Sequence, residues 1–216
     1  QIAREIAMDD KWKVGRVIAR PYIGTKEGHF TRTSNRHDYA LAPFSKTALD
    51  SLKDAGLDVI GVGKIPDIFV DQGITRKIKT VSNEDGMNKT IELSSDNFNG
   101  LAFINLVDFD AVYGHRRNAA GYGKAIGEFD VQLGELINEL KNDDLLMVTA
   151  DHGNDPTYRG TDHTREQVPL IIYSKQFNEM KVLNDGDSFG IIGSTICDNF
   201  NVKYNGIGSS ILELLK

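Results

Sequence analysis

Short apolar runs at 57–62, 101–107, 144–150 and 168–174 recur along the chain, with stretches of helical spacing between them. Runs of this length, bounded by turn residues, read as buried strands. A helix starts at Ser45, sets Leu49, Leu52 and Ala55 on one face and stops at Gly56. From 122 to 141, Ile126, Phe129, Leu133, Leu136, Ile137 and Leu140 recur at helical intervals, and a further helix is expected over 190–199. Buried strands alternating with helices fit an α/β layered domain with a largely parallel central sheet. The segment 66–100 reads as polar and irregular, with weak helical character at 83–93. The β-branched stretch K-V-G-R-V-I-A-R-P-Y-I at 13–23 predicts one more strand, followed by the basic loop T-R-T-S-N-R-H-D-Y. The first forty or so residues are richer in Arg and His than the rest, which marks 1–43 as part of a second unit.

Charge narrows the partners. Lys and Arg total 25 against 31 Asp and Glu, a formal charge of -6, and the signs are interspersed. No basic face for nucleic acid and no membrane-binding patch is expected. The longest apolar runs also fall far short of the roughly 20 residues of a bilayer-spanning helix. The lone cysteine, Cys197, has no internal partner and fits a reducing, cytoplasmic compartment, as a buried and inert thiol. The opening Q-I-A-R-E-I-A-M has no initiator Met and no capping residue before it, so it reads as helix interior and an N-terminal remainder is expected.

Three of the five histidines lie in two segments just beyond predicted buried strands, each beside aspartate. The first, N-L-V-D-F-D-A-V-Y-G-H-R-R-N, presents Asp110 and then His115 in a loop with Gly114. The second, V-T-A-D-H-G-N-D-P-T-Y-R-G-T-D-H-T-R-E, presents Asp151 and His152, with His163 eleven residues after His152. Single Asp and His residues in loops are common turn formers. Five of them after two strands of one sheet converge where open α/β sheets bind their substrates. Carboxylate oxygens mixed with imidazole nitrogens, without sulfur, suit Mn, Fe(II) or Zn. Adjacent residues in a strand point to opposite faces, so Asp151 and His152 can share an ion only if the chain turns after Ala150, and Gly153 eases such a turn.

At these residues the sequence resembles a known family. T-A-D-H-G-N-D, G-T-D-H-T-R-E-x-V-P-L and V-D-F-D-A-x-Y-G-H-R, with V-I-A-R-P-Y-I-G, F-T-R-T-S-N-R-H-D-Y-A and G-V-G-K-I-x-D-I-F, closely resemble phosphopentomutases of the alkaline phosphatase superfamily. The resemblance implies an alkaline-phosphatase-like layered domain with part of a smaller α/β cap, the cap including 1–43 and 44–216 holding its remainder and the C-terminal part of the metal-binding core. It implies two Mn ions, or other divalent cations in their place, and a sugar bisphosphate activator. Asp110, His115 and His163 would bind one ion; Asp151 and His152 would bind the other, with an aspartate from nearer the family's N-terminus. The substrates implied are pentose phosphates, with (deoxy)ribose 1-phosphate and 5-phosphate interconverted through a phosphothreonine that links nucleoside breakdown to pentose phosphate metabolism. That threonine lies upstream in the family; Thr149, Thr161 and Thr164 do not match its motif, so this chain alone is expected to be inactive.

The same resemblance gives the basic residues a role. Among Arg20, Arg32, Arg36 and His37, Arg20 and Arg36 are the first choices for gripping the non-reacting phosphate, since a guanidinium holds phosphate bidentately. Lys64, after a buried strand, is a third candidate, and His29 has no motif support. Cofactor-independent phosphoglycerate mutases share the T-A-D-H-G-N type of segment but have three residues between the Asp and His of the other loop, where four separate Asp110 from His115. A metallophosphatase of the same superfamily and a non-catalytic metal-binding fragment are the remaining alternatives.

Overall fold

The computed structural model describes residues 2–9, 11–33 and 37–215. A short helix, α1 (Ile2–Ala7), precedes β1 (Arg16–Ala19), β2 (Tyr22–Ile23), β3 (Thr31–Arg32) and β4 (His37–Ala40). These strands form two antiparallel pairs: β1 with β4, running from Arg16 opposite Ala40 to Ala19 opposite His37, and β2 with β3. The single strand expected over 13–23 is therefore broken at Arg20 and Pro21, where proline has no N–H to give to a ladder.

The packed layer begins at α2 (Ala48–Asp54). Thr47 caps it: its hydroxyl accepts from the Asp50 amide at 3.3 Å, and the Asp50 carboxylate accepts from the Thr47 amide at 2.8 Å. Then follow β5 (Asp58–Val62), α3 (Ile65–Ile68), β6 (Arg76–Ile78), α4 (Asn83–Ser94) and β7 (Gly100–Ile104). β5 lies between β6 and β7 and is parallel to both. It is covered on both faces, which is why it reads as an unbroken apolar run. Val59 turns to one face, among Leu49, Leu52, Ile65, Ile74 and Cys197. Ile60 and Val62 turn to the other, against Leu93 of α4. Alternate strand positions thus feed two cores.

β6 and α3 correct the reading of 66–100 as irregular. β6 is an edge strand spelled Arg-Lys-Ile, with Arg76 paired to Asp96 at 2.5 Å and Lys77 to Asp71 at 2.6 Å. Charged edge strands resist pairing with other chains but carry little apolar signal.

After β7 come a π-helical turn (Phe109–Gly114), α5 (Ala119–Glu139), β8 (Leu146–Thr149), β9 (Leu170–Tyr173), α6 (Gly190–Asn199) and a 3-10 turn (Leu212–Leu215). α5 packs on α4, and α6 packs on α2, where Cys197 is 1% exposed. Burial raises the Cys197 thiol above its ordinary pKa, consistent with an inert role. The parallel arrangement holds for β6–β5–β7, whereas β8 and β9 form a separate antiparallel pair, Leu146 opposite Tyr173. They are the legs of a hairpin whose long loop, 150–169, carries half of the chemistry. Among the described residues, no helix is long and apolar enough to cross a membrane.

Candidate metal centre

Two segments build the site. The first is the π-helical turn, in which the His115 amide donates to the Asp110 carbonyl at 2.9 Å, five residues back. In an α-helix, at about 100° per residue, five residues would set two side chains roughly 140° apart. The wider turn brings the Asp110 carboxylate and the His115 imidazole to the same side, with Oδ1 3.4 Å from Nε2. The sequence predicts a loop here; the segment is a helical turn with its own hydrogen bonds.

The second segment is the hairpin loop. The Thr164 amide donates to the Gly153 carbonyl at 3.1 Å, closing a bridge between the two arms. This closure brings His152 and His163 face to face, their ring centroids 3.7 Å apart and their planes inclined by 16°. Asp151 Oδ2 lies 3.7 Å from His152 Nε2, so the chain has turned after Ala150 as expected. The reason for Gly153 is different from the expected one. It has no left-handed backbone; a Cβ there would sit 2.4 Å from Glu166 Cγ and 2.8 Å from the Thr164 carbonyl oxygen, so the bridge closes only over a hydrogen.

The segments meet at Asp110. Its Oδ1 is 3.2 Å from His163 Nε2 and 3.4 Å from His115 Nε2, and the two imidazole nitrogens are 3.1 Å apart. Donors each about 2.1 Å from a common cation and about 90–110° apart lie roughly 3.0–3.4 Å from one another, so this triangle fits a single divalent ion. Asp110, His152 and His163 also present donor atoms all within 4.8 Å, so the pair at Asp151 and His152 adjoins the triangle. Proton positions favour the same use. His115 Nδ1 lies 2.6 Å from the Thr161 carbonyl oxygen, which can only accept, so Nδ1 carries the hydrogen and Nε2 keeps its lone pair. His152 Nδ1 makes the same kind of contact with the Gly153 carbonyl at 3.1 Å. Nearby, burial first and the Asp110 carboxylate second raise the pKa of the Tyr122 phenol, keeping it protonated.

A carboxylate flanked by two imidazoles, with the His152 ring stacked on one of them, agrees with what comparison finds: the metalloenzyme superfamily matches residues 19–204. The chain belongs to that superfamily. Its relatives include phosphopentomutases of Clostridium botulinum and Agathobacter rectalis, each 58% identical, and of Clostridium beijerinckii, 56% identical; each alignment covers all of this chain. The chain spans 55% of the length of each of these curated relatives.

In this member of the superfamily, an open cleft of ≈ 370 Å³ flanks the donors, lined by Asp151, His152, His163, Arg165, Glu166 and Phe189 among others. Arg20 is exposed between β1 and β2, and Lys64 is exposed at the N-terminus of α3; neither lines the cleft. Arg36 lies outside the described residues. Two residues that the sequence reading passed over are central. Asn154, 8% exposed, donates from Nδ2 to Asp110 Oδ1 at 2.7 Å, and Arg117 donates to Asn154 Oδ1 at 2.9 Å. Their only signal was their place inside the motifs G-H-R-R-N and D-H-G-N-D.

Proposed function

We propose that this chain is the metal-bearing part of a phosphopentomutase, an isomerase that interconverts (deoxy)ribose 1-phosphate and 5-phosphate. The observation that carries the reading is the triangle of Asp110 Oδ1, His115 Nε2 and His163 Nε2, with edges of 3.1 to 3.4 Å, in a chain 58% identical to named phosphopentomutases. In this reading Asp110, His115 and His163 hold one Mn ion, and Asp151 and His152 contribute to a second with a donor from elsewhere in the complete enzyme. Two such cations, when bound, neutralise the oxygens of a transferring phosphoryl group and hold entering and leaving oxygens in line.

The chain's own residues do the preparation. Thr161 and Gly153 carbonyls fix the His115 and His152 rings with Nε2 as the free donor. The Asp110 carboxylate supplies negative charge between the imidazoles. Arg20 and Arg36 grip the phosphate that does not react, with Lys64 as a further candidate. In this reading the phosphoryl group passes through a phosphothreonine. A sugar bisphosphate keeps that threonine charged. The lone buried cysteine fits work in the cytoplasm.

Full-length protein supplied with Mn and a sugar bisphosphate is expected to convert ribose 1-phosphate to ribose 5-phosphate, followed by phosphorus NMR. Absence of that conversion beside good phosphoglycerate mutase activity would overturn the assignment.

A further inference from the structure

We infer that Arg117 is the positioning residue of the metal centre, acting through Asn154 on the Asp110 carboxylate and through the loop backbone on His115. The inference rests on the proposed reading that Asp110, His115 and His163 hold a cation.

Arg117 follows the π-helical turn and adopts a left-handed backbone, φ 52°, uncommon for a residue with a side chain. Its guanidinium then reaches across to the other segment. NH1 donates to Asn154 Oδ1 at 2.9 Å and to the Asp155 carbonyl at 2.7 Å, NH2 donates to the Asp162 carbonyl at 2.6 Å, and Nε donates to the Gly160 carbonyl at 2.5 Å. A longer contact, 3.3 Å, returns to the Gly114 carbonyl. The acceptors are carbonyl oxygens rather than carboxylates. A cation spent on neutral dipoles is organising backbone, and a planar fork with five donors does so in a way lysine cannot.

Two consequences converge on the donor triangle. The first passes through Asn154. An amide can be turned either way, but a guanidinium offers no acceptor, so Arg117 requires the oxygen of Asn154 to face it and thereby turns the NH₂ group toward Asp110. Asn154 Nδ2 donates to Asp110 Oδ1 at 2.7 Å, and a carboxylate oxygen that accepts one hydrogen bond keeps capacity for a cation. Without Arg117 the carboxylate alone orients the amide, and the Asn154 side chain loses the anchor that fixes its position against Asp110. Space at Gly114 is cut for this contact: a Cβ there would lie 2.6 Å from Asn154 Nδ2. The second consequence passes through Gly160 and Asp162, which flank Thr161. Holding both carbonyls fixes the Thr161 carbonyl that accepts from His115 Nδ1, and leads the chain into His163. One side chain therefore governs the aim of a carboxylate and of an imidazole from opposite sides of the site.

The test is calorimetric titration of Mn into the full-length protein and into Arg117→Ala, Asn154→Ala and the double variant, with urea unfolding of each in metal-free form. Groups that orient metal ligands typically contribute tenfold to a hundredfold in metal affinity, and that loss is expected for each single variant. Because the two residues act in one chain of contacts, the double variant should bind within about twofold of the weaker single variant. Millimolar methylguanidinium should recover part of the affinity of Arg117→Ala and none of that of Asn154→Ala. If Arg117→Ala does not fold, Asn154→Ala against Gly114→Ala, which displaces the same amide, carries the comparison. Normal Mn affinity in the variants beside a binding wild type would overturn the inference alone, as would losses that multiply and merely follow metal-free stability. A wild type that binds no Mn would overturn the metal reading and this inference with it.

Discussion

Between Arg16 and Ala40 the chain makes two antiparallel ribbons in which no described residue is buried, whereas from Ala48 onward β5 alone buries Val59, Ile60 and Val62 to 1% exposure or less. Two-stranded ribbons are marginal by themselves. Here Tyr22 and Phe30 meet edge to face at 4.9 Å yet stay 61% and 52% exposed. On the function proposed above, the difference corresponds to a difference in task. A cation site tolerates errors of about half an ångström in donor placement, so its ligands stand on segments anchored to packed strands. A grip on a phosphate is made by long, adjustable arginine side chains, and a thinly packed arm is sufficient to carry them.

The contrast can be broken most directly by stability. Leu52→Ala removes a side chain with no exposure from the core beneath α2, and is expected to cost about 2–5 kcal/mol in urea unfolding. Ile23→Ala, at a position 65% exposed, should cost no more than about 0.5 kcal/mol. Equal losses would mean that the ribbons share the core after all.

A smaller effect separates the two regions by function. Arg36→Ala should lower kcat/KM for ribose 1-phosphate by roughly ten- to a hundredfold, the usual worth of a charged hydrogen bond, with unchanged Mn content per chain. Loss of Mn in that variant would place Arg36 with the metals and erase the division of labour.

The smallest concerns acid. In α4, Lys89 at 2.8 Å, and then the Val81 amide at 2.9 Å, lower the pKa of the Asp85 carboxylate. A lowered folded pKa contributes stability that is complete above the ordinary carboxylate value and is lost as pH falls below about 3.9 and through the folded value. Asp85→Asn should therefore lower the urea midpoint slightly at neutral pH and leave it nearly unchanged at the foot of the acid limb, which flattens the limb. A variant with an acid limb as steep as wild type would show that other carboxylates carry it.

The packed region was also the more legible one. Apolar runs announced β5, which is buried on both faces, and also β7, β8 and β9, which the sequence predicts as buried strands but which are only partly covered. β6 was hidden because an edge strand is written in charges, Arg76 and Lys77. Asp110, His115, Asp151, His152 and His163 stood out because few other uses gather such residues after strands. Arg117 and Asn154 did not, since neither is a metal-ligand type in its usual form, and their importance arises only when segments 37 residues apart come together. An arginine in R-R-N reads as surface until the fold surrounds it with carbonyls.

The π-helical turn carries a consequence for length variation. Side chains four apart share a face of an α-helix, and five apart share one here, so the spacing of Asp110 and His115 and the pitch of the turn are matched to each other. Removing one residue among Ala111, Val112 and Tyr113 while the turn tightens to α pitch would keep carboxylate and imidazole abreast. Adding one, or removing three, would swing them apart. Insertions and deletions in this short segment are thus filtered by helical phase.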